Sequence, residues 1–96
     1  MQLHEALDSV SDAASFLAFA RLLAADRLDE VQKEAVHPAP PYGPSVNGWE
    51  NSTIEAFLGA AISWAEATDL GLSQGLTPDN PWKRFAVFLY CGKIYE

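Results

Sequence analysis

Four prolines stand within seven residues, at Pro38, Pro40, Pro41 and Pro44. Proline has no amide donor and pushes the residue before it out of the helical region, so no helix can cross this stretch. Extended, polyproline-like chain is its natural form. Residues 37–48, from His37 to Gly48, therefore read as a proline-rich connecting loop within one domain of residues 1–96. A groove that recognises proline ligands usually also reads a flanking basic residue, and Lys and Arg are absent between Glu34 and Trp82.

Before the loop, Val10, Ala13, Phe16, Leu17, Ala20, Leu23, Ala24 and Leu28 recur at three- and four-residue steps, which predicts a helix over residues 10–28. Ser11 or Ser9 would cap it, and Asp12 suits the positive end of the helix dipole. Asp29 to Val36 either extend this helix or form a short one. Residues 2–8 read as an extra helical turn with Leu3 and Leu7 inward.

After the loop, Ser52 and Glu55 have the spacing of a capping box. Ile54, Phe57, Leu58, Ala61, Trp64, Ala65 and Thr68 then trace one face of a second helix. Ala56, Gly59, Ala60, Ser63 and Ala67 make a small-residue face, which allows close packing on that side too. Gly71 is a terminator. Asn80 and Pro81 start a third helix, as cap and first helical residue, and Gly92 is expected to stop it.

The fold class predicted is all-α: a compact bundle of three principal helices with one or two short accessory helices. The helices from Ser52 and Pro81 should form a hairpin-like core. Phe16, Leu17, Leu23, Phe57, Leu58, Ile62, Trp64, Trp82, Phe85 and Leu89 are expected inside it.

Thirteen acidic residues face six basic ones, a net charge of −7. An anionic surface disfavours nonspecific binding to nucleic acid or acidic lipid. The longest apolar stretch, about Ala56 to Ala65, is half a membrane span. A lone cysteine, Cys91, cannot form an intrachain disulfide, and no basic segment precedes an apolar run near the start. A cytoplasmic protein is the expectation. The acidity is uneven: residues 35–81 hold five acids and no base, whereas residues 82–96 hold three bases and one acid. The C-terminal bases are thus the expected internal counterpart of the central acids. Lys83 and Arg84 sit in the first turn of the third helix, the unfavourable end for a cation, so Glu50, Asp79 or Glu96 should compensate them.

Catalytic equipment is sparse. His4 and His37 are the only histidines, and Cys91 near the end of an apolar helix reads as a buried thiol rather than a nucleophile. His4 with Asp8, and Glu66 with Asp69, share helix faces without a third ligand nearby. No catalytic, cofactor or metal residue is assigned. Asn51-Ser52-Thr53 matches a glycosylation sequon and reads as a helix start.

Trp49-Glu50-Asn51 has two readings. Trp49 could staple the second helix, with Glu50 pairing a base and Asn51 joining the cap. Alternatively, Trp49, Glu50 and Asn51, with Tyr95 and Glu96, are candidate partner-contact residues.

Several of these segments occur together in a known set of sequences. Trp49-Glu50-Asn51-Ser52-Thr53-Ile54-Glu55-Ala56-Phe57-Leu58, Trp64, Pro81-Trp82-Lys83-Arg84-Phe85-Ala86 and the terminal Lys93-Ile94-Tyr95-Glu96 resemble a family of small bacterial proteins of unknown function. Asp12, Ser15, Phe16 and Asp26 also fit its pattern. The resemblance implies a compact cytoplasmic bacterial domain and brings no activity, substrate or cofactor with it.

The function expected is that of a non-enzymatic protein-interaction module, its partner a basic protein or a second copy of the chain. One alternative is an immunity protein or inhibitor masking a basic toxin, where acidic side chains oppose a cationic site. Another is a small enzyme using a carboxylate near Trp49-Glu50-Asn51.

Overall fold

The rise of 1.5 Å per residue makes a 24-residue helix about 36 Å long, and one such helix sets the shape of this molecule. In the computed structural model, which describes residues 2–38, 40 and 45–95, helix α2 runs unbroken over Ala13–Val36. Before it lies α1, Leu3–Asp8; after it come α3, Ile54–Thr68, and α4, Pro81–Ile94, with a 3₁₀ turn at Leu72–Gln74 between the last two. The described residues contain no strand. The all-α architecture of three long helices and short accessory ones is thus as the sequence predicts. Residues Ala39 and Pro41–Pro44 of the proline-rich loop lie outside the described residues, as does Glu96.

Residues 29–36 extend α2 rather than forming a separate helix. Lys33 bridges back to Asp29 at 2.8 Å, a spacing that supports a helix. The helix ends at His37, the residue that Pro38 forces out of the α region. Its start corrects the expected cap. Asp12, not Ser11, is the N-cap: its carboxylate accepts the Ser15 amide at 2.9 Å, and the Ser15 hydroxyl accepts the Asp12 amide at 3.0 Å. The Ser15 hydroxyl, which also donates to the Asp12 carboxylate at 2.7 Å, and then the Ser15 amide hold that carboxyl below its usual pKa.

The start of α3 is also one residue later than predicted. Thr53 caps it by accepting the Ala56 amide at 3.1 Å, so Ser52 and Glu55 form no capping box. Ser52 instead offers its carbonyl to Arg27 at 3.3 Å. The helix ends through consecutive left-handed residues Asp69, Leu70 and Gly71. Gly71 is required here, because a Cβ would lie 2.4 Å from the Leu76 side chain. Arg84 clamps this turn, donating from Nε to the Leu70 carbonyl at 2.9 Å and from Nη2 to the Asp69 carbonyl at 3.0 Å. That resolves the dipole conflict at the start of α4. Arg84 stands at the wrong end of its own helix and at the favourable, carbonyl end of α3. Lys83 is paired with Asp8 of α1 at 3.8 Å, not with Glu50 or Asp79.

Asn80 and Pro81 open α4 as expected, with the Asn80 side chain accepting the Lys83 amide at 3.2 Å. Gly92 does not stop it. The helix continues to Ile94, and Gly92 leaves room for the Phe57 ring, whose atoms lie 2.7–2.8 Å from where a Cβ would be. Helices α3 and α4 pack antiparallel as the closest pair, the hairpin-like core that was expected. Helix α4 is central: α1 and α2 also rest on it. No Cα of α2 comes within 8 Å of α3.

This arrangement rotates the core away from the predicted faces. Leu23 and Trp64 are buried as expected, and Phe16, Phe57 and Leu89 partly so. Leu17, Leu58, Ile62, Trp82 and Phe85 are exposed instead. Phe19, absent from the predicted core, is fully buried with Ala61 and Ala86. On α3, Ala61 and Trp64 take the buried side, and Ile54, Leu58 and Ile62 are left exposed.

Candidate functional site

Two adjoining features dominate the side formed by α2, α3 and the C-terminal half of α4. The first is a polar clamp. Glu30, only 1 % exposed, accepts from Arg27 at 2.7 Å through Oε2. Its Oε1 accepts the Asn47 amide at 3.1 Å and the Trp49 amide at 3.4 Å. A buried carboxylate is tolerated only with such a full set of donors. One turn earlier, Asp26 Oδ2 accepts the Trp49 indole N–H and the Lys93 ammonium, each at 2.8 Å. Lys93 is 7 % exposed and Trp49 9 %. Arg27 and Lys93 both lie over the Trp49 ring, 5.5 and 5.6 Å from its centroid, so the indole is held by two cations as well as by its hydrogen bond. Asn47 donates to the Asp26 carbonyl and to Asp29 Oδ2, both at 3.0 Å. Lys33 and Asn47 hold the Asp29 carboxyl below its usual pKa.

The Trp49-Glu50-Asn51 trio ties the end of the proline-rich loop to the last turn of α4. Trp49 stacks on Phe57 at 6.1 Å, a staple made four residues before the cap rather than one. The Glu50 amide donates to the Lys93 carbonyl at 2.9 Å, while its side chain is exposed. Asn51 Nδ2 donates to the carbonyls of Gly92 at 3.0 Å and Tyr95 at 2.9 Å, satisfying orphan acceptors at the helix end. Trp49, Asn51 and Tyr95 are therefore brought together. Glu96 lies outside the described residues. Asp26, Glu30 and Lys93 complete the clamp, and sequence reasoning gave them no part in it. Asp26 and Glu30 are spaced i, i+4 on α2, but nothing in that spacing says a lysine sixty-odd residues later will meet them.

The second feature is an apolar groove of about 450 Å³ between α2 and α3. Leu23, Ala20 and Ala24 form one wall, Ile54 and Leu58 the other, and Phe57 and Leu89 the floor; Trp49, Asn51 and Arg27 close one end. The groove lies where α2 and α3 both pack on α4 while their backbones stay more than 8 Å apart. Its α3 wall continues along the helix. Ile54 is 78 % exposed, and Leu58 and Ile62, at successive i+4 positions, are 45 % and 47 % exposed. Phe85, one turn before Leu89 on α4, is 50 % exposed.

The residues with chemical potential are dispersed. His4 is on α1, and His37 caps the far end of α2; both are exposed. Cys91 is buried, and loss of hydration pushes its thiol up to about 11, which suppresses the thiolate. Asp8, paired on paper with His4, is used by Lys83. Among the described residues, no three His, Cys, Asp or Glu side chains converge as metal ligands, and no helix is long and apolar enough to cross a membrane.

A model of a family of unknown function, DUF7660, matches residues 12–96. No curated protein and no solved structure matches the chain.

Proposed function

The chain belongs to DUF7660, a family of unknown function, and on that premise we propose that it is a non-enzymatic protein-interaction module whose docking surface is the groove between α2 and α3. The observation that carries this reading is the gap itself: the backbones of two long helices flank a third with no Cα of one within 8 Å of the other, and apolar side chains line the space between them. Contiguous exposed apolar surface of this kind is characteristic of a partner site. The walls run about 12 Å from Ile54 to Ile62, two helical turns, so the shape suits a helix laid lengthwise. Trp49 and Asn51 contribute as the end wall, fixed in advance by the clamp, and a preorganised wall lowers the entropy lost on binding. The inert Cys91 and the separated histidines support binding over catalysis. The single unpaired cysteine supports a cytoplasmic setting.

Ala24→Phe tests the reading. Ala24 is exposed on the wall, so a phenyl group there fills the groove and changes stability by less than about 1 kcal/mol. The wild-type chain should show amide chemical-shift changes at groove residues when titrated with an amphipathic leucine–glutamine helix. The variant should not. Equal binding by a folded Ala24→Phe chain would exclude the groove as the docking surface.

A further inference from the structure

We propose that the occupant of this groove is an amphipathic helix of another protein whose flank against α3 is cationic. The proposal rests on the groove being a docking surface and adds the charge of its partner.

The fate of the cations carries it. The C-terminal bases do not neutralise the central acids, contrary to the sequence-based expectation. Lys93 goes to Asp26 and Lys83 to Asp8, both in the first 34 residues, and Arg84 is used by the carbonyls at the end of α3. Arg27 and Lys33 are paired with Glu30 and Asp29 within α2. Glu50, Glu55, Glu66, Asp69 and Asp79 are all exposed, and none has an ion-pair partner among the described residues.

Two of these acids stand beside lining residues on the α3 side. Glu50 lies between the end-wall residues Trp49 and Asn51. Glu55 follows the wall residue Ile54 and precedes Leu58 by one turn. An apolar strip with an uncompensated acidic margin fits a helix with leucine-like anchors and lysine or arginine beside them. On the α2 side the lining cation, Arg27, is already paired with Glu30, so the basic flank is needed toward α3. A second copy of the chain is the poorer occupant, since each copy brings a net charge of −7 and the same acidic margin.

The test uses the full chain, labelled with ¹⁵N, and three synthetic peptides about 14 residues long, roughly 20 Å as a helix. They share one leucine face, and their flanking residues are all lysine, all glutamine or all glutamate. The lysine peptide should shift amides along Ala20–Arg27 and Ile54–Leu58 and bind about tenfold more tightly than the glutamate peptide. Raising NaCl from about 50 to 500 mM should remove most of that difference. The double variant Glu50→Lys with Glu55→Lys changes only exposed side chains and should reverse the order. If the three peptides bind alike, or the glutamate peptide binds best, the cationic partner is wrong while the groove stands. If none of them moves the groove amides, the groove reading itself fails. Concentration-dependent dimerisation that shifts the same amides would replace the foreign helix by a second copy.

Discussion

The clamp around Trp49 and the groove beside it differ in an instructive way. In the clamp, charged and polar side chains are inside: Glu30, Lys93 and the indole N–H are removed from water and each has its partners. In the groove beside it, walled by α2 and α3, aliphatic side chains are outside. Residue type alone would have assigned the two regions the other way round. The clamp ties the end of the loop and the last turn of α4 to α2, and its residues Trp49, Asn51 and Arg27 close one end of the apolar opening.

The largest effect should come from breaking the clamp. Glu30→Ala removes the acceptor for two loop amides and leaves the Arg27 guanidinium without its carboxylate. Arg27 is a third exposed and regains water, so the cost falls on the two amides, about 1–3 kcal/mol for each one left unsatisfied. Urea unfolding followed by Trp fluorescence measures it. A loss under about 1 kcal/mol would mean that the loop is held by other contacts.

A smaller effect is expected from Cys91, which faces the buried side of the same helix. Burial raises its folded pKa from the ordinary 9.0 to about 11. The folded chain therefore keeps a proton that the unfolded chain gives up. The contribution is fully present below pH 9 and is lost as pH rises toward 11, so stability should fall with pH there. The fall should be on the order of 2 kcal/mol larger in wild type than in Cys91→Ala, which lacks the group. Parallel stability curves for the two chains over this window would show that the thiol is hydrated in the folded state.

The same contrast explains how far the sequence could be read. Helix existence was legible from periodicity and from Asn80-Pro81. The caps at Asp12 and Thr53 were each missed by one residue, because neighbouring hydroxyl and carboxylate groups are equivalent in sequence and only loop geometry selects one. Ser52 loses its capping role through its carbonyl contact with Arg27, a long-range contact. The buried faces were harder. Helix α2 is apolar on more than one side, so Phe19 and Leu17 compete, and the winner depends on where α1 and α4 lie. On α3, Ala61 is fully buried, and Leu58 and Ile62 are left facing out. The Trp49-Glu50-Asn51 trio stood out as a motif, yet its staple and contact roles were not separable without Asp26 and Lys93, which come from α2 and from the end of α4.

The smallest expected effect is the one that separates an open apolar face from a hidden core. Ile54 is the first residue of α3 and the most exposed of its wall. Serine there keeps similar helix propensity. Little water-excluded area is lost, so Ile54→Ser should change stability by no more than about 0.5 kcal/mol, whereas a buried isoleucine truncated this far would cost about 2–5 kcal/mol. The same substitution removes an anchor contact from the groove, so it should weaken binding of the leucine–lysine helix while leaving the fold intact. That combination is what an unfilled docking wall requires. A stability loss above about 1.5 kcal/mol that grows with protein concentration would carry the opposite meaning: the free chain would already cover this face with its own copy, since only association makes stability depend on concentration.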